Sequence, residues 1–145
     1  MNTLLDTATA SIVRSALLTI AGALAVSAAT AADVKVTLSG DHEVPAVTTA
    51  AKGEGVITIA DDKSVSGSVK TTGVEGIAAH IHLAEPGKNG PPVITLTKSA
   101  DNVWSTPAGA KLSDEQYAAF KAGHLYVNVH SAQNKGGEIR GQLKP

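Results

Sequence analysis

Two histidines one residue apart, His80 and His82 in "AAHIHLAEPGKNGPP" (78–92), are the side chains of this sequence best spaced for chemistry. In an extended strand alternate residues share a face, so both imidazoles point one way while Ala79, Ile81 and Leu83 turn to the core. Nitrogen donors held on rigid backbone are what a metal ion with directional demands requires. A second run, "HLYVNVHS" (124–131), has the same parity: Leu125, Val127 and Val129 form one face, and His124, Tyr126, Asn128 and His130 the other. If the two runs pair, His130 completes a three-histidine site. His124 reads as a surface or supporting residue. His42, in "GDHEVPA", is the natural fourth ligand with Glu43 as its rival, and sequence does not choose between them. The competing reading is that these imidazoles face solvent or serve a structural hydrogen-bond network.

The donor set bounds the metal. Cysteine is absent, and the one methionine is Met1, so any site is built from His, Asp or Glu. Nitrogen ligands without sulfur suit Cu(II) or Zn(II), and a blue-copper centre is excluded because it needs a thiolate. Structural zinc closes its shell with four ligands, so a three-histidine site with an open position favours catalysis or exchangeable binding. Copper is the expected ion and zinc the alternative. Arg140, in "GGEIRGQL", is the one arginine after residue 32. It reads as a clamp or salt bridge to Glu138 on the same strand face. Alternatively it is a guanidinium that draws a small anion to the metal, the catalytic role it would have in a dismutase. Other chemistries lack their residues. No Ser-His-Asp order or glycosidase carboxylate pair stands out, and "PGKNGPP" (86–92) has neither the spacing nor the following helix of a phosphate loop.

These residues need a scaffold, and its first part is not one. Residues 15–32, "SALLTIAGALAVSAATAA", carry no charge and end in small residues that suit a signal peptidase. Residues 1–32 are therefore expected to be a secretory signal, with an uncleaved anchor as the alternative. The mature domain, 33–145, is expected to be periplasmic or secreted and to lack a membrane span. The whole chain has a formal net charge of −1. It shows no basic stripe for nucleic acid and no polybasic or amphipathic segment for a membrane surface. Without disulfides, the domain depends on its core, to which a bound metal would add stability.

Past residue 33, period-two runs recur between turn residues at 34–40, 53–60, 64–70, 77–84, 91–97, 101–105, 124–131 and 138–143. One stretch, 112–123, is helical in character: Ser113 and Gln116 make a capping box, Tyr117 and Phe120 share a face, and Gly123 stops the turn. The pattern predicts an all-β fold, an antiparallel β-sandwich (Ig-like) or partly closed barrel, with one short connecting helix. A parallel sheet is excluded for want of crossover helices.

From Val34 to Leu143 the chain resembles the CHRD domain, named for chordin and found in many exported bacterial proteins. The resemblance rests on "LSGDHEVPAVTTAAKGEG" (38–55), "AAHIHLAEPGKNGPPVITL" (78–96), "LSDEQYAAFKAG" (112–123) and "LYVNVHSAQNKGGEIRGQL" (125–143). It implies a β-sandwich module and, because chordin binds growth-factor ligands, a protein partner, here in the cell envelope. The matching positions are Glu43, Val44 and Pro45, His80 and His82, Asn89 to Pro91, His130, and Glu138 to Gly141. Ala46 departs from the pattern, and His42 lies outside it, which weakens His42 as an obligatory ligand. The histidines are also distantly similar to those of copper dismutases, whose cysteines this chain lacks. The expected function is an exported copper-binding domain for metal storage, delivery or tolerance. The alternatives are a copper-dependent superoxide dismutase-like enzyme and an interaction module with structural histidines.

Overall fold

The computed structural model describes residues 30–145, so most of the expected signal segment lies outside the described residues. Eight strands and one helix follow in order: β1 (Ala31–Ser39), β2 (Lys52–Ala60), β3 (Val65–Thr72), β4 (Gly76–Leu83), β5 (Pro92–Ala100), β6 (Val103–Ser105), α1 (Asp114–Lys121), β7 (Leu125–Ser131) and β8 (Ile139–Leu143). Every pairing is antiparallel. The order β1-β2-β3-β6-β5-β4-β7-β8 returns to β1 and closes a barrel. Of the two expected architectures, the barrel is the one that forms. Its last seam is short, with Ser39 and Arg140 as the only register pair between β1 and β8.

Alternation along the strands explains the interior. Val34, Val36 and Leu38 of β1, Ile57 and Ile59 of β2, Ala79 and Ile81 of β4, and Leu125, Val127 and Val129 of β7 all join one apolar core. Helix α1 starts where the capping box predicts. The Ser113 hydroxyl accepts from the Gln116 N–H at 3.1 Å, and the Gln116 side chain accepts from the Ser113 N–H at 2.9 Å. Phe120 and Leu112 carry the helical segment onto the core, which makes α1 a packed connector. Among the described residues, no helix is long and apolar enough to cross a membrane.

One part of the wall is covered on both sides. Every residue of β7 is buried, although Tyr126, Asn128 and His130 point out of the barrel. Three connections lie over this outer face. Residues 40–51, which include a 3-10 turn at Gly40–His42, bring Glu43 against Asn128. The 84–91 loop reaches Tyr126 through Gly90, and the 131–138 loop reaches His130 through Lys135. The result is a small polar interior outside the apolar one.

Candidate metal centre

Register places the histidines. Across β4 and β7, His82 lies opposite Tyr126, His80 opposite Asn128, and Ala78 opposite His130. His130 is thus the diagonal neighbour of His80, and the small Ala78 leaves room for its ring to lean across. His80 Nδ1 and His130 Nε2 approach to 2.9 Å. One nitrogen from each of His80, His82 and His130 falls within 4.8 Å of the others. Nitrogens that share an ion at about 2.0–2.1 Å lie roughly 3 Å apart, so the His80–His130 pair already has the spacing of two ligands on one ion.

Backbone carbonyls set two of the rings. His82 Nδ1 lies 2.8 Å from the Gly90 carbonyl, and His130 Nδ1 lies 2.8 Å from the Lys135 carbonyl. A carbonyl only accepts, so in each neutral ring Nδ1 carries the proton and Nε2 presents a lone pair. The Nε2 of His82 is buried and has no hydrogen-bond partner. Leaving such an atom bare costs about 1–3 kcal/mol, and a bound cation would remove that cost. Burial holds the pKa of His80 below the ordinary histidine value, reinforced by the neighbouring rings of His130 and His82. Burial also lowers that of His82, with its bond to Gly90 opposing. Both are kept as neutral imidazole, the ligating form.

Tyr126 and Arg140 hold this arrangement from the side. The Tyr126 ring lies parallel to that of His82, centroids 4.9 Å apart, and the Arg140 guanidinium sits 3.4 Å from the Tyr126 centroid. Arg140 is 1% exposed. It donates to the Lys88 carbonyl at 2.6 Å and to Asn89 Oδ1 at 3.2 Å, while Asn89 Nδ2 donates to the Val44 carbonyl at 2.8 Å. Gly90 completes the link by donating its N–H to the Tyr126 hydroxyl at 3.3 Å. A side chain at Gly90 would run into the Leu83 carbonyl.

Arg140 is therefore a clamp, but not to Glu138 as expected from their two-residue spacing. The Glu138 carboxylate accepts instead from Thr49 at 2.8 Å and Asn134 at 3.3 Å, and closes the 131–138 loop. A guanidinium buried against Tyr126 and the 84–91 loop presents no open face to a dissolved anion, which favours the clamp over the anion-drawing role.

The other candidates separate. His42 is exposed on the 3-10 turn, its Nδ1 3.2 Å from the Arg140 carbonyl, and it is not one of the three clustered rings. The turn sends the adjacent Glu43 inward, where it is 6% exposed. Burial pushes the Glu43 pKa up to about 7, against the pull of Arg140, the Asn128 side chain and the Val44 N–H. Gly137, at φ +134°, passes so close that a side chain there would strike the Glu43 carboxyl and the Asn128 amide. His124 precedes β7 and is also outside the cluster. Sequence reasoning put Tyr126 and Asn128 on the face of His130 but gave them no role. The outward parity was legible; the loops that bury that face were not.

No curated protein and no solved structure shows significant similarity to this chain. The CHRD domain family matches it over residues 34–143, a span that runs through the barrel strands, helix α1 and all three clustered histidines. The chain belongs to the CHRD domain family.

Proposed function

We propose that this chain is an exported metal-binding domain that holds copper, with zinc as the alternative ion, through His80, His82 and His130. Its role would be metal storage, delivery or tolerance in the periplasm or outside the cell. The observation that carries this reading is the buried, unpartnered Nε2 of His82 facing a cluster of imidazole nitrogens. Carbonyl-fixed tautomers support it, because proteins orient metal-ligating imidazoles in this way. Nitrogen donors without sulfur suit Cu(II) and Zn(II). The buried position of Arg140 favours holding an ion over turning over an anionic substrate.

The test is metal content and affinity of the natively exported domain without a histidine tag, beside the combined variant H80A/H82A/H130A. The expected result is stoichiometric copper in the native protein, lost in the variant while far-ultraviolet circular dichroism is retained. Absence of bound metal in the native protein after copper loading would overturn the proposal and favour structural histidines.

A further inference from the structure

Three buried side-chain atoms have no hydrogen-bond partner among the described residues: Glu43 Oε1, His82 Nε2 and Asn128 Oδ1. All three lie under the loops that cover the outer face of β7 and its neighbour β4. Asn128 is 1% exposed and lies on β7 directly opposite His80, two residues from His130. Its side chain neighbours both Glu43 and His82.

The orientation of the amide follows from its other neighbours. Asn128 Nδ2 donates to the Gly136 carbonyl at 3.4 Å, and that carbonyl can only accept. The Glu43 carboxyl lies on the same side, against Gly137. Nδ2 therefore faces two acceptors, which leaves Oδ1 toward the histidines. His82 Nδ1 is already committed to Gly90, so the ring atom that meets Asn128 is Nε2. A lone pair on nitrogen and one on oxygen are then brought beside each other, neither with a hydrogen-bond partner among the described residues. That contact is repulsive in the neutral protein and becomes attractive when a cation sits between them.

We infer that Asn128 Oδ1 is the fourth protein donor of the histidine centre. The centre then has three nitrogens and one oxygen and prefers a divalent ion, Cu(II) or Zn(II), over Cu(I). The inference rests on the metal-binding reading of His80, His82 and His130. An amide oxygen is a harder donor than imidazole or thioether, and hard donors favour the divalent over the monovalent copper ion. Donation from Nδ2 to the Gly136 carbonyl and toward Glu43 draws electron density onto Oδ1 and strengthens it as a ligand.

The test measures Cu(II) and, anaerobically, Cu(I) affinities of native protein, N128L and N128D by competition with chromophoric chelators. Electron paramagnetic resonance spectra of the Cu(II) forms accompany them. N128L should weaken Cu(II) binding by about tenfold or more and leave Cu(I) affinity essentially unchanged. N128D retains an oxygen and adds charge, so it should bind Cu(II) at least as tightly as the native protein and lower g-parallel. A purely structural role for Asn128 would weaken both copper states together in N128L, and that outcome overturns the inference. So does an N128D spectrum identical to the native one, a readout that survives if N128L fails to fold. Native protein that takes up no copper would instead remove the metal-binding reading itself.

Discussion

Replacing Glu43 with glutamine should stabilise the metal-free domain above neutral pH and leave it unchanged in acid. Glu43 is 6% exposed, and burial raises its pKa from 4.5 to about 7 although Arg140 stands beside it. The folded state thus holds this proton more tightly than the unfolded chain does. The stabilising contribution is fully present below pH 4.5, declines as pH rises, and is gone above about 7. At about 1.4 kcal/mol per pH unit, the difference between the two states amounts to about 3 kcal/mol. Glutamine copies the neutral acid in size, offers the same carbonyl oxygen toward the Asn128 amide, and does not ionise. Urea unfolding with chelator present should therefore give equal midpoints near pH 4 and a more stable E43Q near pH 8, by up to about 3 kcal/mol. Against a total domain stability of about 5–15 kcal/mol, this is readily measured. The two proteins differ at this one residue, so contributions from elsewhere cancel from the comparison. An E43Q protein that is less stable than native near pH 8 would refute the reasoning. It would mean that pairing with Arg140 outweighs burial and that Glu43 is ionised.

Three further outcomes follow from the same geometry. His80 and His82 have depressed pKa values, so the metal-free domain should lose stability as pH falls below the ordinary histidine value of 6.5; H80A/H82A should flatten that acid slope in urea titrations. R140M removes two hydrogen bonds to the 84–91 loop and the stack on Tyr126, and should cost about 3–5 kcal/mol in unfolding free energy. Where that variant still folds, released Gly90 should let His82 change tautomer, seen by imidazole nitrogen-15 shifts, with metal affinity down about tenfold. S113A breaks the capping box at α1, away from the centre, and should cost about 1 kcal/mol in thermal or urea unfolding with metal affinity unchanged.

Sequence and tertiary structure divided the determination of this protein by range. Strand positions, the Ser113 capping box and the shared face of His80 and His82 depend on backbone geometry within a few residues, and local order alone carries that information. Membership of the CHRD family was legible in the same short motifs, which persist in order from Val34 to Leu143. Closure into a barrel instead needed β1 to find β8 and β3 to find β6, pairings between distant segments that periodicity does not encode. The different surroundings of His42 and Glu43 turned on one 3-10 turn, which exposes the first and buries the second and brings neither into the three-histidine cluster. Proximity in sequence suggested Glu138 as the partner of Arg140, whereas folding supplied Lys88 and Asn89 from about fifty residues away. Most consequentially, strand parity marked the face of Tyr126, Asn128 and His130 as outward, and outward ordinarily means wet. Only the three loops folded over it buried it, and burial is what turns a row of polar side chains into ordered rings, a fixed amide and an unpartnered amide oxygen beside the histidine cluster.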